Sequence, residues 1–160
     1  MEAKFEFKAR DMETMKRTVM GTSQIRRIAE RYEDDVLCLG QLKTIFGEPL
    51  YITKDLEDQY AYCILAVTES GEEIYLQVYS GSTGPAIGGR QGKESRDAAD
   101  ALAELIVQAK PSDYEYEGFY FDGPSIVKAG IRNGQPYWQE EEVDIEEFSK
   151  ICEEAFGSAE

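Results

Sequence analysis

The sequence predicts an α+β fold: an antiparallel sheet of about five strands packed with helices, with an N-terminal helical hairpin and a C-terminal helix. Three observations lead there. Hairpin signals dominate the strand-like segments, βαβ alternation is nearly absent, and two capped amphipathic helices follow the strand pairs. The 160 residues are most economically one domain, 1–160, and a domain of that size buries about 68–70% of its unfolded surface without help from a disulfide or metal.

The segment KFEFK (4–8) sets Phe5 and Phe7 on one side and predicts a short strand. Met12, Met15 and Val19 then fall at helical spacing on a basic segment. In TSQIRRIAERY (22–32), Thr22 or Ser23 can cap a helix whose face carries Ile25, Ile28, Ala29 and Tyr32. In DDVLCLGQLKTIFGEP (34–49), Leu39, Leu42 and Phe46 share a face, and Gly47 and Pro49 are stop signals. Together these predict a helical hairpin over 23–46.

QYAYCILAVTESGEEIYLQVYS (59–80) reads as strands 59–68 and 73–80 joined at Glu69-Ser70-Gly71. The first is apolar on both faces, as a central strand covered on both sides should be. SRDAADALAELIVQAKP (95–111) predicts a helix capped by Ser95, with Ala98, Leu102, Leu105, Ile106 and Ala109 as its buried stripe and Pro111 as its end. Three strands follow, 114–122, 125–132 and 135–143, and Asn133-Gly134 suits a type I′ turn because both residues accept positive φ. The last helix starts at Asp144, with Glu147 completing a capping box, Ile145, Phe148, Ile151, Cys152 and Phe156 as its buried stripe, and Gly157 as its stop.

Charge is the strongest bulk signal, with 32 acidic against 17 basic residues and a net charge of −15. Residues 1–31 hold 8 basic and 5 acidic side chains, whereas 32–160 hold 9 and 27, a net of −18. Such a field disfavours nucleic acid and anionic membranes and speeds association with basic partners. Cys38, Cys63 and Cys152 are odd in number and lack metal spacing, which suits reduced thiols in a cytosolic protein. MEAKFEFKAR carries no apolar secretory stretch, and the longest apolar run, YAYCILAV (60–67), is too short to span a bilayer, so a cytoplasmic location is expected.

The glycine-rich stretch YSGSTGPAIGGRQGKES (79–95) imitates a phosphate loop running from a strand into a helix. The spelling fails: Ile87 stands where the first motif glycine belongs and Glu94 where the magnesium-binding hydroxyl belongs. What remains is a long glycine-rich connection that is locally positive through Arg90 and Lys93, and its preferred reading is a recognition loop.

With no histidine in the chain, the Ser-His, Cys-His and His-ligated metal chemistries are excluded. The acidic run QEEEVDIEE (139–147) lacks the ligand alternation of a calcium loop. No catalytic residue, metal or cofactor is therefore expected. Ten tyrosines point instead to a contact surface: Tyr75, Tyr79, Tyr114, Tyr116 and Tyr120 on strands, with Trp138 beside Glu140, Glu141 and Glu142. If Ile74, Leu76 and Val78 face the core, then Tyr75 and Tyr79 face outward or lie under a second helix layer. Aromatic anchors among carboxylates suit a basic protein partner, and Arg90 and Lys93 join the candidate set.

Residues 45–89, IFGEPLYITKDLEDQYAYCILAVTESGEEIYLQVYSGSTGPAIGG, present F-G-E-P, an extended segment and a hairpin closed by a serine-glycine turn. That order resembles small acidic bacterial immunity proteins of polymorphic or contact-dependent toxin systems. The resemblance implies a non-catalytic protein that binds a cognate toxin domain and occludes it. The alternative is a small-ligand-binding domain or carboxylate-based enzyme with a pocket under the loop 80–93. A third reading gives the basic segment 8–31 an acidic partner or nucleic acid, and neutralisation by the chain's own carboxylates is preferred to it.

Overall fold

The computed structural model describes residues 5–19, 22–28, 34–52, 60–81, 84–119 and 125–156. In chain order its elements are β1 (Phe5–Arg10), α1 (Met12–Thr18), β2 (Gln24–Arg27), α2 (Asp34–Phe46), β3 (Tyr51–Ile52), β4 (Tyr60–Thr68), β5 (Glu73–Gly81) and β6 (Gly84–Gly89). They continue with α3 (Lys93–Gln108), β7 (Tyr114–Phe119), β8 (Ser125–Arg132), β9 (Gln135–Glu142) and α4 (Ile145–Phe156). The fold is α+β, and every strand pairing among these elements is antiparallel. One sheet runs β1-β4-β5-β6-β2 with β3 also on β4, and a second runs β7-β8-β9.

The apolar run of β4 is buried on both faces because both are covered. Tyr60, Tyr62, Ile64 and Ala66 pack with Leu39 and Leu42 of α2 and Leu102 and Ile106 of α3. Ala61 and Cys63 meet Met15 and Val19 from the α1 side. Leu39, Leu42, Ile64 and Leu76 are buried to 1% exposure or less, and each such side chain contributes about 1.5–3 kcal/mol. Helix α1 is short, and its start is held by Asp11, whose Oδ1 accepts from the Thr14 amide at 2.9 Å and the Thr14 hydroxyl at 2.8 Å.

Helix α2 serves two cores. Cys38, Leu39 and Leu42 belong to the core on the larger sheet, while Val36 packs with Tyr116, Val127, Ala129 and Ile131 of the smaller one. Side-chain bonds fix its position further: Gln41 Nε2 donates to the Val107 and Ala109 carbonyls, each at 3.2 Å, and Thr44 Oγ1 to the Lys110 carbonyl at 2.6 Å.

Several expectations are corrected. The first limb of the helical hairpin is strand β2, because Gln24–Arg27 completes the open side of β6 and Ile25 packs against the main core from there. Over these four residues sheet pairing outweighs the helix-compatible spacing of Ile25 and Ile28. The glycine-rich stretch is largely strand, not a long loop: β6 is buried throughout and bonded to β5 and β2. Its glycines serve close packing, since a Cβ on Gly89 would meet Ile25 and Leu76 side-chain carbons at 3.2 Å each. Helix α3 starts at Lys93, two residues before Ser95, with Gly92 as N-cap and no side-chain cap bond. Its buried stripe is Ala98, Ala99, Leu102, Ala103 and Ile106, and Leu105 is exposed. Ile145 of α4 is 75% exposed instead of buried. The main antiparallel sheet, at six strands, has about the size the sequence predicts, and the three-stranded sheet stands beside it. Ala29, Tyr32, Tyr120 and Gly157 lie outside the described residues.

Candidate interaction surface

The smaller sheet grows from a two-residue turn. Asn133 and Gly134 have φ of 54° and 77°, the positive pair that a type I′ hairpin needs. Asp113, just before β7, accepts from both turn amides, Oδ2 from Asn133 and Oδ1 from Gly134, at 3.0 Å each. The turn therefore fixes an unbroken β8–β9 register that runs from Arg132 opposite Gln135 to Ser125 opposite Glu142.

That register sorts the candidate residues. Ala129 opposes Tyr116 on one side and Trp138 on the other, Ile131 opposes Tyr114, and Val127 and Ser125 oppose Glu140 and Glu142. Cross-strand partners share a face, so Tyr114, Tyr116, Trp138, Glu140 and Glu142 all lie on the α2 side. Glu141 lies on the other face, with Tyr137.

Burial then separates them. Tyr116 is 8% exposed in the second core, which removes it from any contact surface. The Tyr114 hydroxyl donates to the Val36 carbonyl at 2.7 Å, and the Lys43 ammonium sits 5.1 Å above its ring. Burial, with nearby Cys38 and Asp35, pushes its phenol well up, so Tyr114 acts as a neutral structural donor. Trp138 is half-buried against the same core. Glu140, Glu141 and Glu142 are exposed.

The acidic run continues along the chain from β9 into α4. Between 135 and 154 the chain has eight acidic side chains and one basic: Glu140, Glu141, Glu142, Asp144, Glu146, Glu147, Glu153 and Glu154 against Lys150. All nine are exposed, and none joins a salt bridge among the described residues. Asp144 Oδ1 accepts from the Glu147 amide at 2.8 Å and so caps α4. On the opposite face of the sheet, the Arg132 guanidinium lies 4.4 Å above the Tyr137 ring.

The remaining candidates lie elsewhere. Tyr75 and Tyr79 lie under the second helix layer, packed against the cluster of Met15, Val19, Ala61 and Cys63, and burial raises the Tyr79 phenol. Lys93 is exposed and pairs with Asp97 at 3.4 Å. Arg90 and Tyr75 line an open cleft of about 340 Å³, whose walls also include Thr18, Val19, Glu73, Glu94 and Ser95. Helix α3 begins at this cleft, which the spacing of the glycine-rich stretch cannot reveal. The basic N-terminal segment is partly neutralised from within, since Arg26 pairs with Asp100 at 3.5 Å.

Among the described residues no group of three or more cysteine, aspartate or glutamate side chains is placed to hold a metal ion. No described helix is long and apolar enough to cross a membrane. Comparison with protein-family models, with curated proteins and with solved structures finds no match.

Proposed function

We propose that this chain is a non-catalytic, immunity-like or inhibitor-like binding module that occludes a basic protein partner, such as a cognate toxin domain, with the acidic surface of β9 and α4. The observation that carries the reading is the strip of eight exposed carboxylates against one lysine between 135 and 154, with no ion pair among the described residues. Carboxylates arranged for folding are commonly matched by neighbouring cations, whereas this strip leaves its field directed at solvent. Half-buried Trp138 and Tyr137 supply aromatic area beside it. Tyr75 and Tyr79 of β5, and Arg90 and Lys93 at the start of α3, belong to other elements, and this reading does not draw on them.

The test is calorimetric titration of the purified chain with the product of the adjacent gene, repeated with Glu140→Lys/Glu142→Lys. Tight binding that the double reversal weakens at least about tenfold is expected, roughly 1.4 kcal/mol. A neighbour without toxin character that does not bind sinks the reading.

A second reading rests on the cleft at the start of α3. Arg90, Glu73 and Glu94 line it with opposite charges, yet they form no salt bridge among the described residues. A small ligand carrying both charges would complement them. Thermal-shift screening with nucleotides, sugars and divalent cations, extended to zwitterionic amino acids, separates this reading from the first. No shift across the panel counts against it.

A further inference from the structure

Among the described residues the outer side of β9 is an open sheet edge. Among the described residues β9 pairs with β8 alone, while its eight residues hold one continuous register. The other edge strands are poorer templates for a basic segment: β2 is four residues long with a register shift between Gln24 and Arg26, β1 carries Lys8 and Arg10, and β7, at the far end of the same sheet as β9, is shorter at six residues and is interrupted by Gly118.

The turn fixes which main-chain groups face outward. In a two-residue hairpin the closing pair, here Arg132 and Gln135, exchanges both main-chain bonds, and such pairs recur at every second residue. Gln135, Tyr137, Gln139 and Glu141 therefore turn their amides and carbonyls toward β8. Pro136, Trp138, Glu140 and Glu142 turn theirs outward, and Pro136 has no amide hydrogen to offer. The side chains of Glu140 and Glu142 also share one face, so the open main chain and its two carboxylates form one recognition element.

We propose that a basic, extended segment of the partner protein adds to this edge as a further strand, pairing with the Glu140 and Glu142 main chain and setting lysine or arginine opposite their carboxylates. This mode of binding rests on the reading of the chain as a binder of basic proteins and specifies how the contact is made. Main-chain bonds supply the attachment and the alternate side chains supply the selectivity. A second copy of this chain is the wrong occupant, because β9 laid against β9 sets glutamates beside glutamates. The charges and the proline that guard an edge against self-association thus leave it open to a strand of opposite charge.

The experiment uses the full-length chain, labelled with nitrogen-15, and a synthetic peptide alternating lysine and valine. Two control peptides accompany it, one with glutamate replacing lysine and one with N-methylated main-chain nitrogens at alternate residues. Strand addition predicts saturable binding of the lysine peptide, with amide exchange at Glu140 and Glu142 slowed by at least about tenfold and Tyr137, Gln139 and Glu141 little changed. The glutamate and N-methylated peptides should not bind. Glu140→Pro, which deletes an outward donor at a position an edge strand tolerates, should abolish binding while Glu141→Gln retains it. If the proline variant does not fold, the N-methylated peptide still tests the same main-chain bonds from the partner's side.

Binding that survives N-methylation, or that leaves exchange at Glu140 and Glu142 unchanged, overturns strand addition while the acidic-surface reading stands. Failure of the unmodified peptide to bind at millimolar concentration also overturns strand addition. The underlying reading falls only if the adjacent gene's product fails to bind as well.

Discussion

The Tyr114 hydroxyl donates a 2.7 Å hydrogen bond to the Val36 carbonyl, joining β7 of the smaller sheet to the first turn of α2. The phenol is raised by burial and stays protonated, so the bond persists across the ordinary pH range. Tyr114→Phe keeps the ring and deletes the donor. A loss of about 0.5–1.5 kcal/mol is expected by urea denaturation, with no change in the denaturant slope. A neutral result would mean that water replaces the hydroxyl and that the bond is not a tie between α2 and the smaller sheet.

Gly40 tests the same junction from the helix side. In an exposed helix a glycine-to-alanine change stabilises by about 0.5–1 kcal/mol. Here a Cβ would meet Ile131 Cγ1 at 2.8 Å, Pro111 Cβ at 3.0 Å and the Ser112 carbonyl at 3.2 Å. Crowding of that kind costs about 1–3 kcal/mol, and the contact involves main chain that cannot swing aside. Gly40→Ala should therefore lower the melting temperature. A rise would show that α2 and the smaller sheet can separate without cost.

Most strands are legible in the sequence because their signals are local. The Asn133-Gly134 turn and the alternation around Ile74, Leu76 and Val78 depend on neighbouring residues, and each reappears in the structure. Segment 24–27 reads as helix in isolation because its identity depends on β6, more than fifty residues later in the chain, and local spacing carries no trace of that partner. The glycines of β6 mislead for a related reason: their small size is used against Ile25, Leu76 and Tyr79, contacts that exist only once the sheet is formed. At the interaction surface, the glutamates of β9 are visible as a run. The burial of Tyr116 depends on α2 packing over the smaller sheet, and the role of Asp113 depends on a turn twenty residues further on.

Thiol reactivity should divide the three cysteines. Cys38 and Cys63 are buried and Cys152 is half-buried on α4, and burial pushes the Cys63 thiol up, which leaves little thiolate at neutral pH. Under native conditions a thiol reagent should label Cys152 first, and Cys38 and Cys63 should follow only as the chain unfolds. Mass spectrometry of partly labelled protein gives the order. Labelling of Cys63 as fast as Cys152 would contradict the packing of α1 against β4.

Asp11 gives a pH-dependent cap. The Thr14 amide, and then its hydroxyl, hold the Asp11 carboxyl below its ordinary value. A group whose pKa is lower in the folded state binds protons more readily when unfolded, so its contribution is complete above the unfolded value and is lost as pH falls through the folded one. The stability difference between the native chain and Asp11→Ala should be constant from about pH 5 to 8 and shrink below about pH 4. Urea denaturation across that range measures it, and a difference unchanged in acid would remove Asp11 as the cap of α1.

The acidic strip also predicts how association responds to salt. Fields from exposed charges reach about 10 Å at 0.1 M salt and about 3 Å at 1 M, so encounter with a basic partner should slow as salt rises while the dissociation rate changes less. If the strip of β9 and α4 steers that encounter, Glu142→Lys should lower the association rate and flatten its salt dependence. Glu104→Lys, which changes the same net charge on an exposed position of α3, should have a smaller effect if placement matters, because salt screens charges outside the strip more than those within it. Stopped-flow mixing with the adjacent gene's product at several ionic strengths compares the two. Equal slowing by both variants would show that net charge, and not its placement on β9 and α4, attracts the partner.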